Sequence, residues 1–185
     1  MDVVYMNEDF DLEELSKYKV LIYPHPEILT QEAVDLLSAY VEQGGTLILG
    51  ARAGQKDTDG HCVMKKMPGL FTPLAKSTVK EFTLVGPGDD PVSADWNGVL
   101  IDTGDFNEVL EADGTDADVL AVYTDSWYKG QPALIEAKAG KGRVLHFGGV
   151  FSRENLVEFF RYTGILEPFA DIIEAPAECE IAVRR

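Results

Sequence analysis

The pentapeptide Gly50-Ala51-Arg52-Ala53-Gly54 closes an apolar run, TLILG, at residues 46–50. A Gly-x-nucleophile-x-Gly turn after a strand is how several α/β enzymes present a serine or a cysteine. Here the central residue is Arg52, whose guanidinium stays protonated and attacks nothing. The place suits a site, because open α/β sheets bind ligands at the carboxyl ends of their strands. Nucleophilic catalysis would also need a histidine base. The chain has three histidines, His25, His61 and His146. His25 follows the neighbouring strand and is expected near the turn, with nothing to activate. Arg52 is instead expected to hold a carboxylate bidentately, within the chain or across an interface.

Other chemistries fail on spacing. A P-loop needs four residues between its first glycine and its Gly-Lys-Ser/Thr. GARAGQKD has three, then Gln55, Lys56 and Asp57, and no G-x-G-x-x-G occurs. Asp57-Thr58-Asp59-Gly60 resembles the front of a calcium loop, but no later ligands or bidentate glutamate follow. It reads as a polar turn. His61 and Cys62 are adjacent, so on extended chain they point to opposite faces, whereas zinc ligands pair at wider spacing. Cys62 does not leave a strand through a glycine turn, which argues against it as a nucleophile. No catalytic residue, metal or cofactor is expected. With 32 acidic residues, carboxylate pairs for glycosidic work are inevitable and none can be singled out. Trp96, Trp127 and Tyr128 fall in loop-like contexts. They suit a sugar platform or an interface as well as they suit packing within the chain.

These residues need elements to position them. YKVLIYP (18–24) reads as a buried strand ended by Pro24. Thr30 caps a helix in which Ala33, Val34, Leu36, Leu37, Tyr40 and Val41 recur at helical spacing. Gly44 and Gly45 end it, and TLILG is a second buried strand. This is a βαβ unit with parallel strands. A short helix is expected near 70–76, strands at 78–86, 118–126 and 131–140, and a loop over 87–98. A tight turn at 138–142 makes a hairpin with RVLHFGGV (143–150). Ser152 caps a last helix closed by Gly164, and 178–185 reads as a final strand. The expectation is one α/β domain over 1–185. Its sheet is expected to be mainly parallel, flanked by helices on both faces, with an antiparallel hairpin extension.

Composition narrows the partners. The 185 residues suffice for one α/β core. The formal charge of -16 repels phosphate backbones and anionic membranes, so neither nucleic acid nor a membrane is an expected partner. No apolar run reaches the ~18–20 residues of a bilayer span, and the N-terminal stretch lacks the features of a signal peptide. Cys62 and Cys179 are expected to be reduced thiols in a cytoplasmic protein. The chain opens on the apolar run DVVY (2–5) and stops on a strand-like tail, as expected for a piece excised from a longer protein.

The order of motifs resembles the middle domain of family 42 β-galactosidases. Asp11, Leu12, Tyr18 and Lys19 lead into the first strand, and Gly44-Gly45-Thr46 into the second. The turn follows with Arg52, Gly54, Lys56 and Asp57, then Pro68-Gly69-Leu70 and Leu74. Ala53 departs from the family's Ser/Thr. An aromatic, Gly-x-Pro-Ala and a Gly-Lys-Gly hairpin complete the likeness, which runs from about residue 2 to the C-terminus.

The resemblance implies a flavodoxin-like fold of the class I glutamine amidotransferase type, without its nucleophile. It implies a homotrimer formed through this domain. The galactoside would be handled by a β/α barrel with two catalytic glutamates that is absent here, and the domain's own first strand and helix would also be missing. Arg52, Lys56 and Asp57 match the family's turn and are expected at contacts between subunits or domains. The alternative is a free-standing amidotransferase-like sugar-binding or small-molecule module, with a pocket above Arg52 lined by Trp96, Trp127 or Tyr128.

Overall fold

The computed structural model describes Val3 and residues 11–165. The run at 2–5 (save Val3), the strand expected at 178–185 and Cys179 lie outside the described residues. A short helix, α1 (Leu12–Leu15), leads to β1 (Val20–Tyr23), α2 (Gln31–Glu42) and β2 (Thr46–Leu49). After the turn come α3 (Thr72–Ala75), β3 (Ser77–Leu84), β4 (Ser93–Trp96) and β5 (Val99–Asp102). β6 (Phe106–Ala112), β7 (Ala117–Tyr123), β8 (Pro132–Ala139), β9 (Gly142–Phe147) and α4 (Arg153–Tyr162) complete the order.

The βαβ unit forms as its sequence dictates. The Thr30 hydroxyl accepts from the Ala33 amide at 3.2 Å and starts α2. β1 and β2 pair in parallel, and β9 joins β2 in parallel on its other edge. β2 is buried along its whole length, which explains the apolar run Leu47-Ile48-Leu49. Leu47 and Leu49 pack with Leu37, Tyr40 and Val41 of α2 on one face. Ile48 packs on the other face with Leu145, Phe147 and Phe159 of α4. Helices therefore cover both faces, as expected.

The sheet is not mainly parallel, however. Its seven strands run β1-β2-β9-β8-β7-β4-β5, and every pairing beyond β9 is antiparallel. The hairpin read as an extension is the middle of the sheet. The segment expected to be a loop contains β4, which pairs with β5 through a two-residue turn. Asn97 and Gly98 take φ of 54° and 88° there, the left-handed pair that a type I′ hairpin requires. β3 and β6 form a separate antiparallel pair. The buried Ser77 of β3 touches His146 of β9 at 2.8 Å, which ties the small sheet to the large one.

The β8–β9 hairpin packs so closely on the end of α2 that a side chain at Gly142 has no room. A Cβ there would lie 2.2 Å from the carbonyl oxygens of both Val41 and Gly45. Gly142→Ala is expected to cost about 1–3 kcal/mol, read as a lowered midpoint in urea unfolding. An unchanged midpoint would contradict this packing.

Candidate functional site

The turn after β2 has the strained form of an elbow. A Cβ at Gly50 would sit 1.9 Å from the Pro24 carbonyl oxygen, so the chain after β2 passes against the end of β1 only because Gly50 has none. Arg52 takes φ 66°, a left-handed conformation costly for a residue with a Cβ. Three contacts hold it there. Its amide donates to Glu108 Oε1 at 2.9 Å. Its Nε donates to Gln55 Oε1 at 3.0 Å, and its Nη2 to Glu27 Oε1 at 2.6 Å. The guanidinium also lies 5.7 Å from the centre of the Phe106 ring.

The carboxylate that Arg52 meets is Glu27, from the loop after β1 in the same chain. They meet through one Nη2–Oε1 contact rather than the bidentate pair expected, because Nε is taken by Gln55. Lys56 Nζ reaches the same Oε1 at 3.0 Å. The Lys56 hydrogen bond, with the charges of Arg52 and Lys56, holds the Glu27 carboxyl below its ordinary value. His25 does approach the turn, with Nδ1 3.2 Å from the Ala51 carbonyl oxygen. Two cations therefore share one carboxylate at the carboxyl ends of parallel strands.

Beneath the elbow lies a buried polar group. Glu108 is 3% exposed, and His146 and Ser77 are fully buried. Ser77 Oγ lies 2.8 Å from His146 Nδ1. His146 Nε2 lies 3.9 Å from Glu108 Oε2, and neither atom has a hydrogen-bond partner. Burial pushes the Glu108 carboxyl up to about 7 and the His146 imidazole down to about 4. Between those values both are neutral, so the pair is not an ion pair at mild pH. Ser77, His146 and Glu108 have the residue types of a catalytic triad, but all three are buried.

The aromatic candidates separate. Trp96 is a core residue on β4, with ring contacts of 5.0 Å to Phe159 and 5.1 Å to Tyr162. Tyr128 is 1% exposed and packs edge-on against Tyr123. Only Trp127, at 70%, faces solvent. It lines a groove with Leu84, Asp125 and Tyr128 that neither Arg52 nor Trp96 lines, so the three aromatics do not form a pocket with Arg52. Asp57 serves the polar turn. Its Oδ1 accepts from the amides of Asp59 and His61 at 3.0 and 2.9 Å. Asp57, Asp59 and His61 bring ligand-type atoms within 4.8 Å of one another at the surface. Cys62 is an exposed free thiol.

Sequence reasoning missed Glu27, Ser77, Glu108 and His146 as a set. A histidine inside the run RVLHF and a glutamate inside FNEVL were the available signals, since a lone polar residue in a buried strand needs a partner.

The fold and its elbow define a mixed α/β domain whose turn after β2 carries a left-handed arginine at its centre. The family model described as "Beta-galactosidase trimerisation domain" matches residues 1–167. The chain belongs to that family, the trimerisation domain of family 42 β-galactosidases. The β-galactosidase BgaA of Clostridium cellulovorans is 34% identical over 146 residues, which are 79% of this chain and 22% of that protein. The chain spans about a fifth to a quarter of the length of the curated relatives it matches.

A β-galactosidase structure from Bacillus circulans sp. alkalophilus superposes with a TM-score of 0.76 at 24% identity, covering 89% of this chain and 25% of that one. The GH42 β-galactosidase Gan42B from G. stearothermophilus gives 0.74 at 24% identity over 81% and 22%. At such identities these structures speak for the fold alone.

Two outcomes test the elbow. Glycine accepts φ 66° without steric cost, so Arg52→Gly should be about 1 kcal/mol more stable than Arg52→Ala, although both lose the guanidinium. Equal stability would mean that the backbone carries no strain. For Glu108 the folded-state value of about 7 lies above the ordinary 4.5. Its contribution is fully present below pH 4.5 and is lost as pH rises through 7. Glu108→Gln keeps an acceptor for the Arg52 amide and does not titrate. Its stability relative to wild type should therefore grow between pH 5 and pH 8, by on the order of 2–3 kcal/mol. Parallel stability curves in urea titrations across that range would refute the neutral carboxyl.

Proposed function

We propose that this chain is the non-catalytic assembly domain of an enzyme that hydrolyses terminal β-D-galactosides, and that it brings three copies together. The family match over residues 1–167 carries the reading. The elbow supports it, because arginine occupies the position a nucleophile would need. In this reading the hydrolytic residues and the galactoside lie in a barrel outside this chain, which spans 22% of BgaA.

The finer fold assignment, a domain of the class I glutamine amidotransferase type lacking its first strand and helix, belongs to the same proposal. Its supports are the parallel β1-β2-β9 core and the left-handed elbow after β2. The exposed free thiol of Cys62 is compatible with a cytoplasmic enzyme, and no helix among the described residues is long and apolar enough to cross a membrane. A free-standing sugar-binding module is not favoured, since Trp96 and Tyr128 are buried in the core.

The purified chain should sediment at three times its monomer mass and leave a chromogenic β-galactoside intact. A monomer up to ~1 mM, a concentration at which even a weak contact of about −4 kcal/mol is populated, would overturn assembly. Turnover of the galactoside would overturn the non-catalytic assignment.

A further inference from the structure

We propose that the three copies close head to tail, with the Met64–Lys66 tip of one copy seated in the groove of Leu84 and Trp127 on the next. The inference rests on the assembly reading above and names the surfaces it uses. A two-fold dimer can bury one patch against itself. A ring of three cannot, because its symmetry sets two different patches against each other at every contact. The chain must therefore carry two surfaces that fit one another.

Two such surfaces are present. The groove lies between the end of β3, the loop before β4 and the loop after β7, with a volume of about 470 Å³. Leu84 and Trp127, 69% and 70% exposed, give it an apolar wall, and the buried Tyr128 also lines it. Asp89, Asp90 and Asp125 also line it, and no lysine or arginine does. The tip has the opposite character. Met64 is 98% exposed, an unusual setting for a long apolar side chain. Lys65 and Lys66 beside it are exposed, and they are the one adjacent pair of basic residues among those described. His61–Met67 contains no carboxylate.

The tip is also held in shape before any contact. The Val63 amide donates to the Gln55 carbonyl at 3.0 Å, and the Gly69 amide to the Lys66 carbonyl at 2.9 Å. The Val79 amide donates to the Met67 carbonyl at 2.9 Å, which fastens the segment to β3. A preorganised knob loses little freedom on docking, and a methionine adapts to an irregular apolar wall.

Charge selects this pairing over others. Each copy carries a formal -16, so most surfaces of two copies repel. Two lysines meeting three carboxylates reverse that sign locally, and steer the tip to the groove. A second copy of the chain is therefore the partner this groove fits.

Charge reversal tests the pairing in the purified chain by sedimentation equilibrium. Lys65→Glu with Lys66→Glu should weaken the trimer about tenfold or more, as should Asp90→Lys with Asp125→Lys. All four changes together should bring the dissociation constant back to within about threefold of wild type. Trp127→Ala, which leaves charge unchanged, should weaken it as well. All these side chains are exposed, and the circular dichroism and urea midpoint of each variant should match wild type.

Single reversals that assemble like wild type would overturn the surface and leave the assembly reading standing. Reversals that weaken the trimer without rescue by the combination would overturn the tip-to-groove pairing. A monomeric wild-type chain would overturn both.

Discussion

Glu108 accepts the amide of Arg52 and braces the elbow from beneath. A left-handed arginine is costly, and a part-buried amide left without a partner adds to that cost. One carboxyl oxygen meets both demands at 2.9 Å. The carboxyl in turn is 3% exposed, and burying it as an anion would cost several kcal/mol. The site resolves this by keeping the carboxyl protonated up to about pH 7. Around it the two sheets are joined. The Glu108 amide donates to the Gly148 carbonyl at 2.6 Å, and its own carbonyl accepts from Tyr123 Oη at 2.8 Å. A Cβ at Gly148 would lie 2.2 Å from that same carbonyl, so β6 and the end of β9 touch backbone to backbone.

How far the sequence could be read follows from which forces are local. The βαβ unit was legible because each of its signals lies within one element. These are the Thr30 cap, the helical stripe from Val34 to Val41, and the fully buried TLIL of β2. The Ser152 cap of α4 was legible for the same reason, and there Asn155 completes a reciprocal capping box. The β4–β5 hairpin was missed although it carries Asn97-Gly98, a strong turn signal. Its strands are four residues long, and SADW reads as polar until Ala94 and Trp96 are seen to face the core. Without β4, β5 and β6, the remaining strands suggested a mainly parallel sheet. Strand direction is set by pairings between residues far apart, and those leave no mark on either partner alone.

The site was legible in place but not in its partners. The Gly50–Gly54 turn could be located, because glycine at Gly50 and Gly54 answers to backbone crowding from Pro24 and Pro68. Glu27 could not be picked from 32 acidic residues. Its role appears only when the loop after β1 comes to lie beside the loop after β2. Trp96 and Tyr128 show the converse case. Their sequence neighbours are polar, yet their rings are core, because neighbours in a strand or turn face the other way.

The elbow also shows what a sharp turn after a strand does when its central residue is a cation. Such a turn projects one side chain outward at the carboxyl edge of a sheet, whatever that side chain is. With arginine there, the projected group is fixed by Glu27 and Gln55 and accompanied by Lys56. Two cations on one carboxylate leave a local excess of positive charge on a chain whose formal charge is -16. Where two acidic chains approach one another, such islands matter more than net charge. Repulsion between copies acts over a Debye length of ~8 Å in physiological salt, whereas an opposite-sign contact acts within a few ångströms and is screened less. An acidic surface with a few rigidly held cations thus keeps copies apart in most orientations and lets them meet in a few.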